Sequence, residues 1–513
     1  MPFGKNLTMS AINSVFSWFM KKRFHQIELF MKYPTEVQAE VFENLIQSAK
    51  DTAWGKEYGY REIKSINAFR ERVPLQTYEE VKHYVARLQQ GETDLLWPGE
   101  INWFAKSSGT TNDRSKFIPV SREALEDCHY KGGKDLLAVY SHNHPENTVY
   151  AGKSLVLGGS SQINTFRKDS YYGDLSAIII NNLPLWVEFR RIPDKQIALM
   201  DGWEKKIDAM AHSIKDEYVT SMSGVPSWML VLLRRLLDIT GKANITELWP
   251  DLQLYMHGGV NFAPYMAQFR ELIPADTLKY YETYNASEGF FGLQDRTGSG
   301  EMLLMLDYGI FYEFIPTEHS HEENPKTCLL GDVEIGKNYE LVISTNAGLW
   351  RYRIGDTVTF TSLYPFRIKV TGRTKHFINA FGEELIIDNT EKALAKACAV
   401  CNCTISEYTA GPIYMNGNSR GGHEWLIEFE KLPADLGAFA EVLDLELKEL
   451  NSDYDAKRTG NLTLNPPLIR TVAPGTFYSW LKGKNKLGGQ HKVPRLSNNR
   501  IMIEELSGLT ELV

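Results

Sequence analysis

Five cysteines in 513 residues, an odd number, are too few for a disulfide framework, so a reducing compartment is expected and the cytoplasm is the assignment. No apolar run is long enough to span a membrane. The N-terminal stretch from Lys5 to Arg23 is interrupted by Asn6, Ser10, Asn13 and Ser14 and carries no small-residue cleavage site, so neither secretion nor membrane attachment is expected. Basic residues are in no excess: 56 Lys and Arg are mixed along the chain with 64 Asp and Glu, for a net charge of -8. That balance argues against a surface that tracks nucleic acid and points to a small partner. Repeats and low-complexity tracts are missing. So are Gly-x-Ser-x-Gly, His-Glu-x-x-His and Gly-x-Gly-x-x-Gly, which leaves a hydrolase triad, a zincin and a dinucleotide fold without their sequence cues.

Three partial motifs also fall short. Gly152-Lys153-Ser154 has the ending of a phosphate loop, but Asn147 stands where its first glycine belongs and Leu155-Val156-Leu157 follows where a helix should open, so Lys153 reads as a strand lysine. Cys398, Cys401 and Cys403 lack a second pair at zinc-site distance and lie where a helix gives way to a strand. His319-Ser320-His321-Glu322-Glu323, between Pro316 and Pro325, reads as a solvated loop.

What is present is a 43% apolar chain, long enough for at least two cores. Residues 1 to 100 read as mostly helical, with Val37, Val41, Phe42, Leu45 and Ile46 at helical spacing. From Ile101 to about Phe360 strands and helices alternate, which predicts an α/β layered fold. A helix carries Trp228, Leu232, Leu236 and Leu237, and a strand over Leu252 to Met256 runs into Gly258-Gly259. Paired strands follow at Glu340 to Ser344 and Thr357 to Phe360. Beyond Gly372-Arg373-Thr374-Lys375 the order changes to a helix near Glu391 to Ala399, a strand at Trp425 to Phe429, a helix from Phe439 to Leu450 and a strand near Leu468 to Val472. The expectation is a large domain over 1–373 and a smaller α+β domain over 374–513.

Three stretches carry chemistry. Ser107-Ser108-Gly109-Thr110-Thr111-Asn112-Asp113-Arg114-Ser115-Lys116 is a hydroxyl-rich loop with apolar residues on both sides; its hydroxyls, amides and lysine can hold phosphate oxygens, although the same composition makes ordinary turns. Tyr281-Glu282-Thr283-Tyr284-Asn285-Ala286-Ser287-Glu288-Gly289 follows a short strand at Leu278 to Tyr281. Its aromatics can cover a base, Ser287 can bond a phosphate and Glu288 can hold magnesium, or the segment is a strand end with a solvated glutamate. In Arg351-Tyr352-Arg353-Ile354-Gly355-Asp356 the carboxylate can accept ribose hydroxyls, or it is a turn aspartate.

In this order and spacing the three stretches resemble the acyl acid amido synthetases of the auxin-responsive Gretchen Hagen three family, in a bacterial-type version, within the adenylate-forming group that includes acyl-CoA synthetases and firefly luciferase. The resemblance extends to Val73-Pro74-Leu75, Tyr78-Glu79 and Gln490-His491-Lys492-Val493-Pro494-Arg495. It implies ATP and Mg2+: Ser107, Ser108, Thr110 and Thr111 around the phosphates, Tyr284 by the adenine, Ser287 at the phosphate, Glu288 on the metal and Asp356 on the ribose. Lys116 and Lys492 would supply charge at the reacting groups, and the backbone at Gly258 and Gly259 would pass close to nucleotide and acyl group. Asp113 departs from the glycine usual in plant members, which bears on how Lys116 points. Residues 372 to 375 fall at the group's interdomain hinge.

The implied reaction is adenylation of a small carboxylic acid with release of pyrophosphate, then transfer of the acyl group to an amine, expected to be an amino acid's. Thioester formation with coenzyme A, or a non-catalytic nucleotide-binding protein, would leave much of the same pattern. No histidine is placed as a base. Trp186, Phe189, Trp228, Phe290 and Phe291 are acyl-pocket candidates, and aromatics are core material first. Nothing calls for an oligomer, and a monomer is expected.

Overall fold

The structure is a computed structural model that describes residues 20, 22–107, 116–158, 163–200, 203–260, 262, 265–373, 377–416, 419–459, 463–484 and 493–510. The described residues begin with helices, as the apolar spacing predicts. In α1 (Pro34–Ala49) a proline sits in the first turn, where its missing N–H costs nothing, and Phe42, Leu45 and Ile46 are buried on one face. In α2 (Tyr78–Gln89), Glu80 reaches back to accept the Thr77 N–H at 2.6 Å, so the helix start is fixed by its own first turn.

A four-stranded sheet follows. β1 (Trp103–Ser107) and β2 (Lys116–Val120) are antiparallel with Ser107 opposite Lys116, so the hydroxyl-rich stretch connects a hairpin. After α3 (Tyr130–Asn143) and β3 (Lys153–Leu157), the sheet is completed by β4 (Asn164–Arg167) and β5 (Ser170–Gly173), in the order β2-β1-β5-β4. Lys153 is indeed a strand lysine.

The large sheet has eleven strands among the described residues. It begins at β3 and β6 (Arg191–Ile192), takes in β7 (Val219–Gly224), β8 (Leu254–Gly258) and β9 (Lys279–Ala286) in parallel, then turns antiparallel through β10 (Gly289–Leu293) and β11 (Met302–Leu304). Its far side holds β12 (Ile310–Pro316), β13 (Asn338–Thr345), β14 (Tyr352–Leu363) and β15 (Phe366–Arg373). The connection between β5 and β6 contains α4 (Leu175–Asn181). Between β7 and β8 runs α5 (Pro226–Thr240), which starts on a proline, stops at Gly241 with φ +65, and buries Trp228, Leu232 and Leu236. Two strand limits differ from expectation. Leu252 is buried but precedes β8, because its N–H is taken by Trp249 O. β9 runs on to Ala286, because β8 and β10 pair with it from both sides.

The C-terminal part contains the short pair β16 (Phe377–Ile378) and β17 (Leu385–Ile386), α6 (Ile387–Val400), β18 (Thr404–Ile413), β19 (Gly422–Lys431), α7 (Leu436–Leu450), α8 (Ser452–Arg458), β20 (Leu468–Val472) and α9 (Ile501–Thr510). β18 and β19 pair antiparallel, and β20 joins β19 in parallel. The helices and strands expected there are present; β18 is an addition. The mixed α/β architecture with a smaller α+β part is the expected fold class. Its apolar core is continuous with that of α5: Trp228 and Tyr265 belong to the same buried cluster as Phe381, Leu385 and Leu443.

Candidate active site

Each of the three chemical stretches ends a strand pair, and the described parts of all three line one cavity of about 2000 Å3. Ser107 closes β1 and Lys116 opens β2, and both face the cavity. The Lys116 ammonium lies 5.9 Å from the centre of the Tyr78 ring, and Tyr78 Oη accepts the Phe117 N–H at 3.0 Å. Ser108, Thr110, Thr111 and the Asn112-Asp113 departure lie outside the described residues, as does Lys492.

The second stretch forms β9 and the tight turn into β10. Gly289 pairs with Ala286, leaving Ser287 and Glu288 as a two-residue turn whose side chains line the cavity beside Thr283 and Tyr284. In the third, the register between β13 and β14 shifts: Glu340 pairs with Thr357, but Val342 pairs with Arg353. Ile354, Gly355 and Asp356 stand against the single Leu341 and bulge, with Gly355 at φ +89, and the cavity receives them. Arg353 is held on Glu340 by two bonds of 2.9 and 2.7 Å.

These stretches are bonded to one another. Tyr284 Oη donates to Asp356 Oδ2 at 2.7 Å, so the second and third share a buried hydrogen bond. The segment before α2 joins the first and third: Gln76 N–H donates to Arg351 O at 3.0 Å, Arg353 N–H donates to Gln76 O at 2.8 Å, and Tyr78 two residues on accepts from β2. Thr77 and Tyr78 therefore belong to the cavity wall; the wider resemblance singled out Tyr78, and nothing in the sequence pointed to Thr77.

Gly258 and Gly259 also line the cavity. A Cβ at Gly258 would stand 2.5 Å from Thr283 O, so only glycine lets β8 lie this close to β9 here, and Gly259 takes φ +82. The preceding His257 is stacked on Phe262 at 4.0 Å, and burial pushes its imidazolium down to about 3, which keeps the ring neutral.

Val156, Ile179, Ile180, Leu183 and Val187 add apolar wall to the cavity. Of the aromatic candidates, Trp228 and Phe290 reach the cavity. Phe291 does not, because strand alternation turns it to the opposite face of β10, where it is fully buried. Phe189 is 77% exposed and lies outside the lining as well. The Trp186 side chain is outside the described residues. Chemically, the cavity wall offers hydroxyls, lysines, carboxylates and apolar side chains. A molecule with a phosphate-bearing part and an apolar part fits such a wall.

The GH3 family N-terminal domain matches residues 23–278, the GH3 family central domain 303–373 and the GH3 family C-terminal domain 388–501. This chain belongs to the GH3 family. It is similar to the indole-3-acetic acid-amido synthetase GH3.4 of Arabidopsis thaliana, with 25% identity over 91% of this chain and 90% of that protein. The jasmonoyl--L-amino acid synthetase GH3.5 of Oryza sativa subsp. japonica is 23% identical over 93% of this chain and 95% of its own. Among solved structures, the GH3.15 acyl acid amido synthetase superposes with a TM-score of 0.60 at 18% identity, covering 96% of both chains. A 2-hydroxyisobutyryl-CoA ligase with 2-HIB-AMP and CoA in the thioesterification state gives 0.55 at 13% identity, over 94% of this chain and 93% of that one. At these identities both structures speak for the fold. The first and third stretches fall within the matched domains, and the second lies between them.

Proposed function

We propose that this GH3 chain is an ATP-dependent ligase that adenylates a small carboxylic acid and passes the acyl group to the amine of an amino acid, giving an amide, AMP and pyrophosphate. The observation that carries this reading is the Tyr284–Asp356 hydrogen bond inside a cavity that also receives Ser107, Lys116, Ser287 and Glu288. It joins the ribose candidate to the adenine candidate at the mouth of the phosphate candidates. The acid's carboxylate attacks the α-phosphate of ATP, and the loop donors and Lys116 offset the negative charge that gathers there. The carboxylate thereby gains AMP as a leaving group in place of oxide, and the amine displaces it.

Magnesium fits this wall. Glu288 presents a carboxylate at a turn tip beside Ser287, and although no group of three or more ligating side chains exists among the described residues, a magnesium ion held with phosphates needs only one or two protein carboxylates. When bound, it would neutralise phosphate charge. Ser108, Thr110, Thr111 and Lys492 complete the proposed set, with Gly258 and Gly259 as backbone walls. The division into 1–373 and 374–513 remains part of the proposal, with the second unit rotating between the two half-reactions. The five free cysteines suit the proposed cytoplasmic setting, and a monomer is proposed.

ATP-pyrophosphate exchange with a panel of aryl, indole and fatty acids tests the reading. The wild type is expected to exchange with at least one class and to stop when EDTA removes the metal. Ser108→Ala, Glu288→Ala and Asp356→Ala should each lower exchange by about a hundredfold. Unchanged exchange in all three would sink the site assignment, and absence of exchange across the panel would favour an idle nucleotide-binding protein. Product analysis with amino acids and with coenzyme A separates amide from thioester formation.

A further inference from the structure

The cavity carries a second charged patch that the three stretches do not use. Asp453 and Lys457, four residues apart on α8, share one helix face, and that face lines the cavity. Asn451 fixes it in place: Oδ1 accepts the N–H groups of Asp453 and Tyr454 at 2.9 and 2.8 Å, while Nδ2 donates to Glu384 O at 3.1 Å. Opposite stand Lys106 of β1 and Asp174, the residue before α4, both on the cavity wall. The patch therefore draws both signs of charge from the large N-terminal part and from the C-terminal part.

Lys457 is the telling member. Only 8% of the residue is exposed, its ammonium sits 4.0 Å from the centre of the Trp228 ring, and among the described residues that ammonium has no hydrogen bond and no ion pair. A ring face offsets part of the desolvation of a buried ammonium but supplies no acceptor oxygen. Asp453 beside it is half-buried. Among the described residues its carboxylate meets no donor side chain, and desolvation pushes it up to about 7, with Lys457 and Lys106 pulling it down and Glu384 and Asp174 pushing it further up. A protein does not gain stability from two such groups left apart in a cavity wall; a ligand bearing both an ammonium and a carboxylate would satisfy them together.

We propose that this patch is the seat of the acceptor amino acid, with its ammonium on Asp453 and its carboxylate on Lys457 and Lys106. The inference rests on the amide-forming reading above and names the residues that serve its second half. One proton passes from the ammonium to the Asp453 carboxylate. The freed lone pair forms the C–N bond to the acyl carbon, the bond from that carbon to the phosphate oxygen breaks, and AMP leaves with the electron pair. The second proton leaves the new amide nitrogen to water. A coenzyme A thiol carries no ammonium to pair with Asp453 and no adjacent carboxylate for Lys457 and Lys106.

Steady-state kinetics on Asp453→Asn, Asp453→Glu and Lys457→Met, with amide formation divided by pyrophosphate exchange in each, tests the seat. Asp453→Asn should lower that ratio about tenfold and Asp453→Glu should recover part of it. In the wild type, amide formation should rise with pH through about 7, as the Asp453 carboxylate becomes able to take a proton, and Asp453→Asn should flatten the rise. Lys457→Met should raise the KM for the amino acid about tenfold and erase the preference for an amino acid over the same amine lacking its carboxylate. A ratio and a preference unchanged within about twofold would overturn the seat, as would exchange falling in step with amide formation, which marks a structural role. A wild type that exchanges pyrophosphate yet makes no amide would count against the reading beneath it.

Discussion

At the scale of single residues, the bond from Tyr284 to Asp356 is the most informative contact in the cavity. Asp356 is 6% exposed, and a carboxylate so enclosed needs donors; the Tyr284 hydroxyl is one of them. Removing that hydroxyl in Tyr284→Phe leaves the ring and its packing against Phe291 but takes one donor from the carboxylate. The expected result is ATP binding weaker by about tenfold, roughly the worth of one hydrogen bond to a charged group, read by nucleotide titration. Binding unchanged within about twofold would mean that Asp356 is held by other partners and that Tyr284 acts only through its ring.

At the scale of elements, the approach of β8 to β9 is set by Gly258. Gly258→Ala would drive a methyl into Thr283 O and Thr283 Oγ1, at 2.5 and 2.7 Å, so the strands must separate beside the cavity. A loss of about 1–3 kcal/mol in urea unfolding is expected, with exchange falling as well. How legible such elements are depends on what signal they leave. The hairpin around Ser107 and Lys116 was readable because Trp103, Phe104, Phe117 and Ile118 flank a polar stretch. The end of β9 was not, because Thr283 and Asn285 face a cavity and so break the apolar alternation while staying paired. The strut through Gln76 and Tyr78 left no pattern either, since its bonds run between backbone and distant partners with no periodicity. Asp453 and Lys457 are the extreme case: two charges four residues apart on a helix look like a solvated face until the wall opposite them is known.

At the scale of the molecule, the C-terminal part meets α5 and its surroundings in part through a short segment after residue 376. Tyr265 Oη donates to Ala380 O at 2.6 Å, Trp228 Nε1 donates to Phe381 O at 3.2 Å, and Asn379 Nδ2 donates to Gly259 O at 3.2 Å. The segment is braced from its own side by Glu383, which accepts from the N–H of Phe381 at 2.6 Å and pairs with His423 at 2.8 Å. If residues 374–513 rotate between half-reactions as proposed, these bonds belong to one of the two arrangements. Trp228→Ala should then slow amide formation by about tenfold more than it slows exchange. Equal slowing of both would make the contact a matter of stability alone. The change in element order near residue 373 is what suggests the two proposed units, whereas the docking contacts were not legible, because carbonyl acceptors have no sequence signature.

Trp228 has a further use. Its indole N–H is engaged by one part of the C-terminal region and its ring is covered by a lysine from another, so its light emission depends on whether that region is docked. Subtracting the emission of Trp228→Phe from that of the wild type isolates this one indole among eleven. The difference signal turns the resting contact into an optical gauge of docking, readable in a stopped-flow cell as ATP, acid and amino acid are added in turn.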